Sequence, residues 1–304
     1  MMKKEKQKSA PFGQNSKNTA QTKRKSGVSS SAFFSDKEGT QKGNQKNTVD
    51  MKQRVAKLIA AAGVCSRREA EKIILQGRVT LNGEILSTPA VFAGNNDKLA
   101  VDGVLLKKPE KSRLFLYYKP TGLVTTHKDP QNRPTVFDSL PKSMPRVVSV
   151  GRLDLNSEGL LLLTTNGRLA GLLENPSLGW KRKYRVRVHG RLPENMVQKA
   201  SKGLSVKGVR YAPMIIETET GEKTNNSPDA EKSKGTNSWL TITLTEGKNR
   251  EIRKVMEFFG LQVSRLIRLS YGPFQLGALE KSEVKEVPQK VIREQLGCEL
   301  SAAL

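Results

Sequence analysis

Cysteine is nearly absent: Cys65 and Cys298 are the only two in 304 residues, far apart and without CxxC spacing. That excludes a disulfide scaffold and a cysteine-rich zinc site, and it is the usage of a reducing cytosol. Histidine is equally scarce. His127 and His189 are the only two and neither lies in a metal-ligand or nucleophile motif, so zinc hydrolysis and a Ser-His-Asp triad lose their usual support. Each is read as a surface or turn residue. No apolar run approaches the roughly 18 residues of a membrane span, Leu160 to Leu163 being typical of the longest, and no apolar signal-peptide core opens the chain. Neither GxxxxGK[ST] nor GxGxxG occurs, which removes the usual supports of nucleotide hydrolysis and dinucleotide cofactors. The expectation is a cytoplasmic protein with no membrane contact, no metal and no cofactor.

Negative charge is also in short supply. Lys and Arg number 53 against 29 Asp and Glu, a net charge of +24 with a pI near 10.1, and such an excess points to a polyanionic partner, foremost nucleic acid. The length fits about two domains of roughly 150 residues. Aromatics at 5% and a mean hydropathy of -0.52 leave part of the chain as tail or linker. Residues 1–50 hold eleven Lys/Arg, four Asp/Glu, no Leu, no Ile and two Val, too little apolar surface to offset chain entropy. They are read as a disordered basic arm. With one arginine, Arg24, the arm does not have the Arg-rich composition of a transit peptide. Residues 217–238, whose one apolar residue after Glu217 and before Ser238 is Ala230, are read as a long mobile polar loop inside a domain. Residues 107–112, with Pro109 at their centre, are the interdomain linker.

From Arg54 the chain turns periodic. Val55, Leu58, Ile59 and Ala62 stand at i, i+3, i+4 and i+7 before Gly63, predicting a short amphipathic helix. Ser66 with Glu69 three residues on spells a capping box, followed by Ala70, Ile73 and Ile74 on one face and a stop at Gly77. Asn82-Gly83 and Asp102-Gly103 each divide two apolar runs and suit type I′ hairpins. Off the apolar faces lie Arg54, Lys57, Arg67, Arg68, Lys72 and, just beyond, Arg78; they are either a phosphate-facing patch or an ordinary solvated helix face. The residues 54–60 as Arg-Val-Ala-Lys-Leu-Ile-Ala, then Ala62-Gly63-Val64, Ser66-Arg67-Arg68 and Gly77-Arg78-Val79-Thr80-Leu81-Asn82-Gly83, resemble the S4-like RNA-binding domain. Over residues 51–108 that resemblance implies a small α/β module holding structured RNA through backbone and shape.

In the larger module, carboxylates, arginines and tyrosines remain for chemistry. Residues 147–167 read as two buried strands enclosing a polar loop with Arg152, Asp154 and Glu158 between Gly151 and Gly159. Loops held between rigid strands are favoured places for functional side chains. Asp154 is therefore a catalytic candidate, with a turn carboxylate bonding nearby N–H groups as the equal alternative. Tyr184, Val186 and Val188 share one face of an alternating strand, so Tyr184 is either a core aromatic or a ring at a pocket rim able to stack on a base. After a strand at 239–245, Ile252, Val255, Met256 and Phe259 are at helical spacing up to Gly260. Arg250, Arg253 and Lys254 gather at that helix's start, where the macrodipole favours anions.

Gly151-Arg152-Leu153-Asp154 with Gly159-Leu160-Leu161-Leu162-Leu163-Thr164 resembles the catalytic motif of the RsuA-type ribosomal RNA pseudouridine synthases. Tyr117-Tyr118-Lys119-Pro120, the run from Asp129-Pro130 to Arg133-Pro134-Thr135-Val136-Phe137-Asp138, Lys183-Tyr184-Arg185-Val186 and Glu246-Gly247-Lys248-Asn249-Arg250-Glu251-Ile252-Arg253 extend the likeness, which is nearest to the large-subunit (23S) enzymes. Ser157 in place of Thr, and Thr165-Asn166-Gly167 in place of an Asp-Gly spelling, are the departures. The resemblance implies an α+β fold with a mixed, mainly antiparallel sheet over residues 113–296. It implies Asp154 as catalytic aspartate, Tyr184 against the target base, Arg253 as the basic partner of Asp154, and support from Arg152, with Arg250 among the RNA-binding residues. The implied substrate is ribosomal RNA, free or in an assembly intermediate, and the implied enzyme a cofactor-free monomer. The rival is a non-enzymatic rRNA-binding or ribosome-assembly factor. Glu158 as a second, glycosidase-like carboxylate has little support, since two acids four residues apart need not face one bond.

Overall fold

Two apolar-periodic helices at the front of the chain can bury their stripes only against each other and a sheet, and that is what the computed structural model contains. It describes residues 52–107, 111–219 and 237–301. The basic arm, the centre of the linker and residues 220–236 of the polar loop lie outside the described residues. Helices α1 (Val55–Ala61) and α2 (Arg67–Leu75) end ahead of Gly63 and Gly77, with φ of +80° and +69°, and α2 begins at its cap, the Ser66 side chain accepting the Glu69 N–H at 3.2 Å. Around them run β1 (Gln53–Arg54), β2 (Val79–Leu81), β3 (Glu84–Ile85), β4 (Phe92–Ala93), β5 (Leu99–Val101) and β6 (Val104–Leu105). Four of these form one antiparallel sheet in the order β3-β2-β5-β6. Asn82-Gly83 and Asp102-Gly103 have positive φ at both positions, as type I′ turns require. Val55, Ile59, Ala70, Ile74, Val79 and Val101 close this module's own core.

The larger module is built on one mixed sheet. Its strands are β7 (Leu114–Lys119), β8 (Val148–Val150), β9 (Glu158–Thr164), β10 (Arg182–His189), β13 (Ile215–Thr218), β14 (Asn237–Leu244), β15 (Gln262–Tyr271), β16 (Phe274–Gln275) and β17 (Val284–Glu286), while β11 (Leu204–Val206) and β12 (Val209–Tyr211) form a separate hairpin. The strand order is β13-β14-β10-β15-β9-β7-β17, and the β15–β9 pair alone among these named pairs is parallel. Residues 217, 218, 237 and 238, expected in the loop, belong to the hairpin strands β13 and β14.

Apolar alternation decides which face each strand offers. On one face Tyr117, Tyr184, Val186, Val188, Leu240 and Ile242 pack against α4 (Met196–Ser201) and α5 (Glu251–Phe258). On the other Leu114, Leu160, Leu162 and Ile267 pack against α3 (Gly167–Glu174) and α6 (Gln289–Ser301). Every residue of β9 is buried, which explains its run of four leucines: a strand covered on both faces has no polar side. Asn166, the departure from the usual motif, caps α3 by accepting the N–H groups of Arg168 at 2.8 Å and Leu169 at 3.3 Å, a task Asn and Asp share.

The strand pairing around β9 creates the opening for the loop at 151–157. Along one edge, Glu158 and Gly159 lie beside Ile267 and Arg268 of β15, whereas Leu162 to Thr164 lie beside β8. The loop leaves β8 and enters β9 where that edge changes neighbour. Gly159 makes the approach possible: its φ is +103°, and a Cβ there would collide with the backbone O and N of Arg268. Gly159→Ala is expected to cost about 3 kcal/mol or more of stability in urea denaturation; a loss under about 1 kcal/mol would show that the β9–β15 contact can relax.

Candidate active site

The loop between β8 and β9 is held by its carbonyls. Leu153 O accepts from Thr125 Oγ1 at 2.9 Å, Asp154 O from the Ser157 N–H at 3.0 Å, and Leu155 O from the Gly122 N–H at 2.9 Å. Asn156 O accepts from Arg253 Nη2 at 2.8 Å and Ser157 O from Lys119 Nζ at 2.9 Å. Five consecutive acceptors are thus satisfied, four of them by groups from outside the loop. At its start, the Gly151 N–H donates to Glu174 at 2.7 Å. Lys119 is fully buried; burial pulls its pKa down to about 8, against the opposing pull of the Asp154 and Glu158 charges.

With its backbone so held, Asp154 points its carboxylate into a pocket of about 730 Å³. The side chain is 34% exposed, and Arg250 Nη1 lies 3.7 Å from Oδ2. Arg152, Tyr184, Arg250 and Arg253 line the same pocket. Asp154 and Arg250, 96 positions apart in the chain, meet there because β10, β15 and the start of α5 converge beside the loop. Tyr184 combines its two sequence readings: it belongs to the core cluster, is 9% exposed, and still forms part of the pocket wall. Among the described residues no group of three or more His, Cys, Asp or Glu is arranged to hold a metal ion.

The basic residues are arranged differently from the resemblance. Arg253, implied as the partner of Asp154, gives its two terminal nitrogens to the carbonyls of Val263, at 3.0 Å, and Asn156. The guanidinium within ion-pairing reach of Asp154 is that of Arg250, brought there because Arg250 takes the left-handed conformation, φ +51°, before α5 begins. Arg253 is then the strap between loop, helix and β15, its pKa lowered by burial and by Arg250 and raised by Asp154. Glu158 does not line the pocket. It is buried and bound to Arg265 at 2.5 Å, Lys281 at 3.6 Å and Tyr118 at 3.3 Å, because β9 alternation sends it away from its neighbour in the motif. In the N-terminal module Arg54, Arg67, Arg68 and Lys72 are exposed and Lys57 half-buried, whereas Arg78 grips Asp102 with two hydrogen bonds of 2.8 and 2.6 Å.

Sequence reasoning passed over three further pocket residues: Arg182, Glu251 and Arg268. Glu251 is 4% exposed and accepts the Lys248 N–H at 2.9 Å on one carboxylate oxygen, while the other, also buried, has no hydrogen-bond partner among the described residues. Burial, aided by the Glu246 charge, pushes its pKa up to about 7, while Glu246, held by Lys248 and the Ala212 N–H despite some burial, is pulled below the ordinary range. The Lys248 N–H bonded to Glu251 braces the turn 246–250 that carries Arg250.

A family model described as RNA pseudouridylate synthase matches residues 113–258, and one described as S4 domain matches residues 53–99. An RNA pseudouridine synthase of Rickettsia bellii, itself named uncharacterized, is 48% identical over 241 residues, covering 79% of this chain and 99% of that protein. The chain belongs to the RNA pseudouridylate synthase family. Also similar is the ribosomal large subunit pseudouridine synthase B of Yersinia pestis, 43% identical over 232 residues, 74% of this chain and 69% of that protein. A crystal structure titled as a pseudouridylate synthase superposes with a TM-score of 0.54 at 25% identity, covering 80% of this chain and 99% of that one. This pseudouridine synthase is an isomerase of α+β fold, its catalytic module preceded by an S4 domain.

The Glu251 pair gives the synthase a pH signature. Its folded pKa stands above the unfolded value, so folding takes up a proton between the two; that contribution is full below about pH 4.5 and is lost as pH rises through about 7. Glu251→Gln is expected to flatten the fall in melting temperature between about pH 5 and about pH 8 and to raise it at the upper end. An unchanged slope would place the titration elsewhere.

Proposed function

We propose that this synthase converts one uridine of large-subunit ribosomal RNA to pseudouridine, with Asp154 as the catalytic carboxylate. The observation that carries the reading is the half-exposed Asp154 carboxylate in a cationic pocket, 3.7 Å from Arg250 and sharing the pocket wall with Tyr184. The reaction breaks the N1–C1′ bond, turns the uracil and joins C5 to C1′. It is redox-neutral and consumes nothing, so one carboxylate acting as nucleophile at C1′ or as base at C2′ can carry it. A uridine stacked in folded RNA has to be extruded first, and a pocket of this size with an aromatic wall receives such a base. Tyr184 stacks on it, Arg250 orients the carboxylate, Arg253 holds the loop, and Arg152 at the exposed rim meets the RNA.

Ribosomal RNA as substrate is supported by the name of the Yersinia relative and by the S4 domain match. Residues 51–108 hold RNA through Arg54, Lys57, Arg67, Arg68 and Lys72, with Arg78 partly neutralised by Asp102. Residues 113–296, completed by the remainder of α6, do the chemistry, and the basic arm 1–50 adds affinity. The enzyme works as a cytoplasmic monomer on free rRNA or an assembly intermediate; no helix among the described residues is long and apolar enough to cross a membrane.

The test is to map pseudouridine in rRNA from cells with and without the gene, and from cells carrying Asp154→Asn. One position is expected to lose pseudouridine in both altered strains, while the purified variant binds the RNA as the wild type does. Normal modification by the variant would overturn the assignment of Asp154. For the N-terminal module, Arg67→Ala with Arg68→Ala is expected to lower the slope of log affinity against log salt by about 1.5 without changing kcat at saturating RNA; an unchanged slope would mean that these arginines face solvent only.

A further inference from the structure

One buried group in the pocket has no place in the scheme above. Arg268 on β15 is 3% exposed, lines the pocket with Asp154, and is the direct ladder partner of Tyr184. Its Nε donates to Leu160 O at 2.7 Å, which fixes the plane of the guanidinium. Its Nη2 is buried and has no acceptor among the described residues. Beside it Arg182, 7% exposed, directs its donors to Trp180 O, Thr245 O and the Tyr271 hydroxyl. Both guanidinium carbons lie near the Tyr271 ring, 4.7 Å and 5.1 Å from its centroid. Two buried cations are thus offset by carbonyls and a ring face, with no carboxylate paired to either among the described residues.

A buried donor without an acceptor is costly and is not kept for stability. Its position says what it awaits. Tyr184 is the wall against which the base lies, and Arg268 adjoins Tyr184 across the ladder, so its fork lies by the base and not by the sugar, where Asp154 acts. When the N1–C1′ bond breaks, its electron pair goes to the uracil ring and is shared with O2 and O4, while the sugar bonds to Asp154 or yields its C2′ proton to it. When C5 joins C1′, the bond from C1′ to Asp154 breaks or Asp154 returns the proton to C2′, the C5 proton leaves and N1 gains one. Between these steps the base is an anion. We propose that Arg268 is a catalytic residue for uracil departure: its free Nη2 donates to a carbonyl oxygen of the extruded base, most strongly when the ring carries the charge. A donor fixed in advance against developing negative charge needs no reorganisation as the bond breaks. The inference rests on the reading of Asp154 and its uridine given above.

The test compares wild type and Arg268→Gln in single turnovers on an RNA bearing uridine, or 5-fluorouridine, at the mapped position. Fluorine at C5 itself stabilises the uracil anion, so the variant is expected to lose about 100-fold in the rate of glycosidic bond cleavage on uridine but less than about tenfold on 5-fluorouridine, with unchanged RNA affinity. Equal losses on both substrates would mean that Arg268 only shapes the pocket, and a loss in affinity alone would make it a phosphate contact; either overturns the proposal. Should Arg268→Gln fail to fold, Arg268→Lys retains charge and a donor and is read by the same ratio. Wild-type enzyme making no pseudouridine on the uridine RNA would instead sink the underlying reading of function.

Discussion

The hydrogen bonding of five successive carbonyls, from Leu153 to Ser157, is the constraint on which this site depends. A loop of that length between two strands ordinarily leaves its carbonyls to water. Here Thr125, Gly122, Lys119 and Arg253 take four of them and a turn within the loop takes the fifth. The donors come from the end of β7, the segment after it, and α5, so the loop is in place only when those elements are docked. Lys119 shows what this costs: a lysine buried completely, its charge opposed by desolvation, is retained because its ammonium bridges the carbonyls of Pro120 and Ser157. Its position next to the Asp154 charge makes the strap electrostatic as well as geometric.

That constraint explains how labour is divided among the arginines. Two cations lie near one carboxylate, and they do different things because they belong to different backbone conformations. Arg253 is inside α5, with its side chain directed back along the helix to loop and strand carbonyls. Arg250 is one residue before the helix, in the left-handed conformation, and its side chain turns to Asp154. Glu251 helps to hold that turn by accepting the Lys248 N–H, and burial together with the Glu246 charge favours its protonated form, so two full negative charges need not face each other there.

How much of this the sequence discloses follows the range of the interaction. Caps and turns are local, so Ser66 announces the helix it begins, and Asn82-Gly83, Asp102-Gly103 and Gly260 announce where elements end. Strand alternation is equally local: it places Tyr184 inward and, read to its end, sends Glu158 away from the pocket. The resemblance brings Asp154, Tyr184 and Arg253 to one site, yet motif spacing does not reveal which arginine touches the carboxylate, because that depends on the φ of Arg250. Arg268 and Glu251 are invisible for another reason. What distinguishes them is burial with one side-chain atom left without a hydrogen-bond partner, a property of tertiary packing, and in the sequence they are one more arginine and one more glutamate among charged neighbours.

The surplus of positive charge and the single carboxylate are linked through the energetics of extrusion. Drawing a uridine out of folded RNA costs stacking and pairing free energy before any bond is broken. In the proposed function nothing at the reacting centre can supply that, since Asp154 would act only after the base has arrived. Contacts to phosphates far from the target can, because binding energy realised away from the reacting atoms can offset distortion at them. In the proposed function a surface patch such as Arg67 and Arg68 would provide contacts that do not depend on which base is turned out. On the proposed mechanism the pocket would then contribute what the phosphates cannot: a ring to lie against, a fixed carboxylate, and a guanidinium whose unused donor gains strength as the base takes on charge. On this argument weakening the surface contacts should lower occupancy of the extruded state without altering the chemistry that follows, which makes the excess of lysine and arginine the thermodynamic counterpart of the proposed extrusion.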